Sequence, residues 1–311
     1  MSDASQPGQK RVLLVYNPVA GLGYASASRH KIEERLKKTN WIVDVYETTG
    51  RENLPEVVRE RTDKGIDLVV AVGGDGTVSG AASGIVCTNI PLAIIASGSG
   101  NIVAQELNIP LTVDAALDLI CGENAYRKID ALRKDDHSYI LAVSVGLSTR
   151  IMENTRREQK RRFGFLAYIY NGLAHLSGIK LSYFRLDVDG YRFSGWASEI
   201  IILNAVILGL PTFRQSLGVK PDDGKMEVCV IRSRTLTDLA GVLWNVLVAG
   251  KRTHPELKCV DVKEYIRIET SEPAIVEGDG DIIGTTPIQL DFVANAVRVI
   301  VPLNANTETG S

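Results

Sequence analysis

Three short glycine-rich loops, each following an apolar run, carry residue types suited to holding phosphate. Asn17-Pro18-Val19-Ala20-Gly21 follows the run at 12–16, Gly73-Gly74-Asp75-Gly76-Thr77 follows 67–72, and Gly98-Ser99-Gly100-Asn101 follows 92–96. Glycine lets main-chain N–H groups approach an anion closely, and the N-terminus of a following helix adds a positive dipole. Thr77 can cap its helix and offer a hydroxyl to a phosphate oxygen. Asp75 is the unusual member, because a carboxylate beside a polyphosphate is repulsive. It calls for Mg²⁺, or for a hydrogen bond to a ribose or to a loop donor. The chain has no GxxxxGK[ST], and no GxGxxG with an acidic residue closing the next strand. Neither a P-loop nor a dinucleotide-binding turn is therefore expected.

The elements around these loops alternate in type. Strands are expected at 12–16, 41–46, 67–72 and 92–96, with helices at 26–38, 52–64, 77–86, 99–107 and 112–121. The run Asp67-Leu68-Val69-Val70-Ala71-Val72 is apolar almost throughout, as a strand covered on both faces requires. Strand and helix at this spacing imply a parallel sheet with right-handed crossovers, whose loops line one crevice. The pattern changes between Gly122 and Asp130. Beyond it, strands are expected at 140–144, 181–188, 198–203, 226–232, 265–270, 288–293 and 297–301, with Asp-Gly turns at 189, 223 and 279. Helical segments interrupt them at 156–176 and 236–249. The expected architecture is an α/β nucleotide-binding domain at 10–125 and a β-rich sandwich domain at 126–303, the extreme C-terminal tail being free to return to the first domain.

Composition narrows the function. Of 311 residues, 45% are apolar and 23% charged, with a net charge of −2, so no global attraction to nucleic acid exists. The N-terminus lacks the apolar stretch of a signal peptide, and no apolar run can cross about 30 Å of hydrocarbon. A cytoplasmic protein is expected. Its four cysteines, Cys87, Cys121, Cys229 and Cys259, show no metal-ligand spacing and are expected to be buried reduced thiols. Arg156-Arg157-Glu158-Gln159-Lys160-Arg161-Arg162, followed by Phe163, Phe165, Tyr168 and Tyr170, could form a patch for anionic lipid on the inner membrane face.

From Asn17 to Pro302 the chain resembles the diacylglycerol kinase catalytic family, which includes sphingosine and ceramide kinases. The carriers of the resemblance are Asn17-Pro18-x-x-Gly21, the signature Gly73-Gly74-Asp75-Gly76-Thr77, and Gly98-Ser99-Gly100-Asn101 with Leu107-Asn108-Ile109-Pro110. Lys220-Pro221-Asp222-Asp223-Gly224 resembles a family turn that holds a structural Mg²⁺, with Asp223 in the ligand position. Asp279-Gly280-Asp281 resembles the family segment that supplies the catalytic base. Three features depart from the pattern: Ile102 replaces an acidic residue, Asp281 stands where glutamate is usual, and the glycine-rich stretch after the Asn204 strand is reduced to Leu208-Gly209-Leu210-Pro211.

The resemblance implies an ATP-dependent lipid kinase, working with Mg²⁺ on a hydroxyl of diacylglycerol or a related lipid at a membrane surface. Asn17, Pro18, Gly21, Thr48, Gly73, Gly74, Asp75, Gly76, Thr77, Ser99 and Asn101 would bind the nucleotide. Asp281, aided by Asp279, would orient the acceptor and take its proton. NAD kinases share the GGDGT loop, but their nucleoside-binding Asn-Glu pair has no counterpart here. A protein that keeps the fold and binds lipid or nucleotide without transfer is the other alternative.

Overall fold

The computed structural model describes residues 9–20, 25–147, 149, 179–204, 219–247 and 254–303. The chain divides into two compact units, one of residues 1–129 with 295–311 and one of residues 130–294. The first unit contains β1 (Arg11–Tyr16), α1 (Ala25–Lys37), β2 (Ile42–Glu47), α2 (Leu54–Thr62), β3 (Leu68–Gly73), α3 (Asp75–Gly84), β4 (Leu92–Ala96), α4 (Ile102–Glu106) and α5 (Val113–Cys121). Its strands lie in the order β2-β1-β3-β4 and are all parallel. Every residue of β3 and β4 is buried, which explains why neither strand shows a polar face in sequence.

Helices cover both faces of this sheet. Leu14, Val70 and Ile95 pack with Ile32 and Leu36 of α1 and with Ala116, Leu117 and Ile120 of α5. Small residues in α3 serve a different contact. A Cβ added at Gly84 would lie 2.7 Å from Val58 Cβ, and one at Gly80 would lie 2.9 Å from Leu54 Cδ2. Helices α2 and α3 thus approach more closely than larger side chains would permit.

Next come β5 (Ala125–Lys134), β6 (His137–Tyr139), β7 (Ala142–Gly146), β8 (Ser182–Val188), β9 (Tyr191–Ala197), β10 (Glu199–Leu203), β11 (Met226–Ile231), α6 (Leu236–Leu247), β12 (Leu257–Val262), β13 (Tyr265–Thr270), β14 (Ile275–Gly278), β15 (Asp281–Thr285) and β16 (Ile288–Val301). In the second unit β16, β13, β8 and β9 form one antiparallel layer, and β12-β11-β10-β7-β14-β15 form another. The two layers share one core. Val143, Val145, Ile200, Ile202 and Val228 of one pack with Phe184, Leu186, Ile266, Ile268 and Leu290 of the other. The end of β16 belongs to the first unit, where Val299 pairs in parallel with Leu92.

Several expectations are corrected. The separate strands at 288–293 and 297–301 are one strand, with Asn295 in a left-handed conformation (φ 52°) between them. Strands β5, β9 and β12 and the hairpin β14–β15 were not expected. β9 alternates exposed and half-buried residues and includes Gly195, so its apolar signal is diluted. Buried reduced thiols do not describe the cysteines either: Cys229 and Cys259 form a disulfide, and Cys87 is exposed. Register brings that pair together across a sequence separation of 30, which spacing alone does not reveal. Gly21, the basic-aromatic segment 156–170, the helix expected at 156–176 and the shortened stretch 208–211 lie outside the described residues. Among the described residues no helix is long and apolar enough to cross a membrane.

Candidate active site

The strand order 2-1-3-4 reverses direction between β1 and β3, and in parallel sheets the carboxyl ends at such a point are where ligands bind. The three glycine-rich loops leave β1, β3 and β4 there. Main-chain bonds stitch them together: the Asn17 amide donates to the Val72 carbonyl at 2.9 Å, and the Ser97 amide donates to the Gly73 carbonyl at 2.9 Å. Asn17 Nδ2 donates to Thr77 Oγ1 at 3.0 Å, directly across the reversal. Asn17 Oδ1 accepts the Val19 amide at 3.1 Å, which fixes the turn through Pro18. Thr48, just past β2, is buried, and its amide donates to the Tyr16 carbonyl at 2.8 Å.

Glycine is required where the loops from β3 and β4 meet. A Cβ on Gly98 would stand 2.5 Å from Gly74 Cα, and one on Gly73 would stand 2.4 Å from Thr77 Oγ1. Only main chain fits between these positions. A Cβ on Gly76 would meet nothing within 4 Å, so the crest of the loop is open. Helix α3 starts at Asp75 with Gly74 as its N-cap and has no side-chain cap. Thr77 therefore does not cap the helix, contrary to expectation. It lies inside the first turn, and its amide and that of Val78 already bond to the Gly74 carbonyl. The Gly76 N–H lies in this first turn, among the N-terminal helix donors of the type that can meet an anion.

Asp75 resolves the choice its sequence position left open. Its carboxylate accepts the Ile102 amide at 2.6 Å, so its partner is a loop donor. Burial pushes the carboxyl above its usual range, opposed by the main-chain N–H groups of Ile102, Asn101 and Asp75 itself. Asn101 sits in a left-handed conformation (φ 51°), and its side chain bonds both the amide and the carbonyl of Gly98 at 2.9 Å. Asp75 and Asn101 thus shape the loop; Ser99 is exposed at its tip.

The second unit carries the acidic turns. Asp279 (φ 50°) and Gly280 (φ 94°) are both left-handed, the requirement of a two-residue type I′ hairpin, and they join β14 to β15. Three successive amides, from Ile140 (2.8 Å), Leu141 (3.0 Å) and Ala142 (3.0 Å), donate to the Asp279 carboxylate. Asp281, the first residue of β15, is exposed. The same turn-forming residue is thus anchored, while its neighbour two positions on is presented to solvent.

Three residues here were not anticipated from sequence. Tyr139 packs its ring against Gly278, where a Cβ would lie 2.6 Å from Tyr139 Cδ1. Burial, reinforced by the charges of Asp279, Asp135 and Asp281, pushes its hydroxyl up to about 12, so it stays protonated near neutrality. Asn204 Nδ2 donates to the carbonyls of Asp130 (2.8 Å) and Ile140 (2.9 Å). Asp130 Oδ2 accepts the Gly224 amide at 2.9 Å, and the Asp130 amide donates to the Pro221 carbonyl at 2.7 Å. The available signal for Asn204 was a lone amide closing the apolar run of β10.

Asp223 lies exposed on the turn that Asp130 fixes. Partial burial raises its carboxyl foremost; Lys225 lowers it, and Asp222 and Asp261 raise it further. The turn offers the carboxylates of Asp222 and Asp223, hard oxygen donors, beside Lys225, which pairs with Asp261 at 2.8 Å. Mg²⁺ fits that donor chemistry.

A two-layer β-sandwich unit and a parallel α/β unit with phosphate-type loops define a class that comparison makes specific. Residues 11–133 match the diacylglycerol kinase catalytic domain, and residues 141–301 match the YegS C-terminal NAD kinase β-sandwich-like domain. The chain belongs to the diacylglycerol kinase family of lipid kinases. It is 27% identical over 307 residues to a diacylglycerol kinase of Mycobacterium tuberculosis, covering 94% of this chain and 95% of that one. An uncharacterized protein of Synechocystis is 29% identical over 306 residues, covering 93% of this chain and 70% of the relative. The crystal structure of a diacylglycerol kinase from Bacillus anthracis superposes with a TM-score of 0.75 at 23% identity, covering 96% and 99% of the two chains. That likeness concerns the fold.

Proposed function

We propose that this lipid kinase uses ATP and transfers its γ-phosphate to a hydroxyl of diacylglycerol or a related lipid. The observation that carries the reading is the glycine-on-glycine contact of Gly74 and Gly98, beside the uncapped first turn of α3. This surface leaves main-chain amides as the groups that meet a polyphosphate. Asn17, Pro18, Gly73, Gly74, Gly76, Thr77 and Ser99 line it, with Gly21 and Thr48 at its margin. Asp75 and Asn101 hold its shape.

Phosphoryl transfer needs alignment and charge compensation more than covalent help. Asp281 is the exposed acid of this turn, so it is the group assigned to orient the acceptor hydroxyl and take its proton. Asp279 acts through it. Its carboxylate is committed to three amides, so it fixes the turn that aims Asp281. Mg²⁺, when bound, offsets phosphate charge; Asp223 and its turn would hold a structural ion of the same kind. The lipid reaches the protein from a membrane surface as a peripheral contact.

The test is phosphorylation of a lipid panel by purified protein with radiolabelled ATP. Labelled lipid that disappears in Asp281→Ala, with ATP binding retained, supports the reading; the loss should be at least about 10²-fold. Labelled NADP would instead identify a NAD kinase. ATP binding without any labelled product would identify a non-catalytic relative.

A further inference from the structure

The sheet containing β11 and β12 carries a site that the kinase reading does not use. Cys229 of β11 and Cys259 of β12 are directly opposed in antiparallel register, with Cα atoms 4.1 Å apart and their sulfurs bonded. That separation belongs to the narrow, non-hydrogen-bonded pair, in which side chains on one face lean together. Register therefore keeps the two side chains adjacent on one face whether or not the sulfurs are bonded. Glu227 lies two residues before Cys229 and so shares its face of β11. One carboxylate oxygen of Glu227 and both sulfurs lie within 4.8 Å of one another. Glu227 and Cys229 are each 3% exposed, whereas Cys259 is half-buried on β12, the edge strand of its sheet.

We propose that Cys229 and Cys259 are a reversible dithiol–disulfide couple, and that the dithiol form, with Glu227, binds a thiophilic divalent cation of the zinc class. Two thiolates and one carboxylate are a donor set that Zn²⁺ takes, with water able to complete four-coordination. Metal entry releases the two thiol protons, because the thiolate is the ligand. Oxidation runs by exchange with a low-molecular-weight disulfide. The half-buried Cys259 thiolate attacks one sulfur of that disulfide and expels a thiolate. The Cys229 thiolate then attacks Cys259 Sγ and expels the second. The protein loses two protons and two electrons, and the small disulfide gains both as two thiols. Disulfide and metal compete for the same sulfurs, so each state excludes the other.

The experiment titrates Zn²⁺ against a chromophoric chelator, using full-length protein reduced with a phosphine and then desalted. One Zn²⁺ should bind per reduced chain, and none to protein pre-oxidised with glutathione disulfide. Cys259→Ser should weaken binding by more than the roughly 10–100-fold that loss of an outer-shell partner costs. Glu227→Gln should weaken it by at least about 10-fold. The double variant Cys87→Ser/Cys121→Ser should retain both the ion and its sensitivity to oxidation. Because wild-type protein is its own oxidised control, the comparison survives if a serine variant fails to fold. A reduced wild type that binds no Zn²⁺, or binding that persists after oxidation or in Cys259→Ser, would overturn the proposal.

Discussion

The carboxylate of Asp75 accepts the main-chain N–H of Ile102 at 2.6 Å, tying the loop after β3 to the first turn of the helix after β4. This contact explains an acidic residue inside a loop built to meet phosphate. Its carboxylate is engaged by the main-chain N–H groups of Ile102, Asn101 and Asp75 itself. It also accommodates Ile102, one of the departures from the family pattern, since that position contributes its amide and buries its side chain.

Gly100 allows the contact. A Cβ at that position would stand 2.5 Å from Asp75 Oδ2. Gly100→Ala should push Asp75 off the Ile102 amide and open the junction of the two loops. A strained insertion of this size costs about 1–3 kcal/mol of stability, so the melting temperature should fall, and ATP affinity should fall with the displaced loop. Calorimetric titration with ATP and a thermal scan read the two effects; unchanged affinity would detach Asp75 from the nucleotide site.

Much of this unit was readable because its signals are local. An all-apolar β3 followed at once by Gly73-Gly74 states both the buried strand and the close approach. The second unit was less readable for a physical reason. Its key contacts join residues far apart in sequence: Asp279 to the amides of 140–142, Asn204 to Asp130, Cys229 to Cys259. A side chain that satisfies distant main chain leaves no periodic trace, and short edge strands such as β9 and β12 alternate too weakly to stand out. The Asp279-Gly280 pair did announce a turn. Its left-handed dihedrals make it a tight hairpin, which places Asp281 at the start of a strand.

Acid should reveal the loop after β2. Burial alone would raise Glu52, but the Thr49 hydroxyl and the N–H groups of Glu52, Arg51 and Thr49 outweigh it and lower the carboxyl from 4.5 to about 2. A folded value below the unfolded one means the stabilisation is complete above about 4.5 and is lost as pH falls toward 2. After discounting for solvent screening it is worth about 1 kcal/mol. Glu52→Gln should therefore lower the urea midpoint at neutral pH, and the difference should vanish near the acid limit. A difference that stays constant with pH would remove this carboxylate as the cause.

Gly278 tests the support behind the acidic turn. A methyl group there would lie 2.6 Å from Tyr139 Cδ1 and 2.8 Å from its Cε1. The ring cannot yield cheaply, since Tyr139 packs against the sandwich core. Gly278→Ala should cost about 1–3 kcal/mol. The double variant Gly278→Ala/Tyr139→Ala should show strong coupling, because the second change removes the clash that the first creates. Additive losses in denaturant unfolding would show that the ring is not what the glycine accommodates.

Asp279 and Asp281 stand two residues apart and should fail in different ways. Asp281 is exposed, so Asp281→Ala should leave the unfolding midpoint nearly unchanged while lipid phosphorylation is lost. Asp279 holds three consecutive amides at 2.8–3.0 Å. Removing its carboxylate strands donors beside the buried residues Ile140 and Leu141, at a cost of about 3 kcal/mol. Asp279→Ala should therefore lower both stability and transfer. Asp279→Asn keeps the left-handed preference and one acceptor oxygen, so it should recover part of both. If Asp279→Ala instead unfolds like the wild type while losing transfer, its carboxylate takes part in the chemistry directly rather than by aiming Asp281.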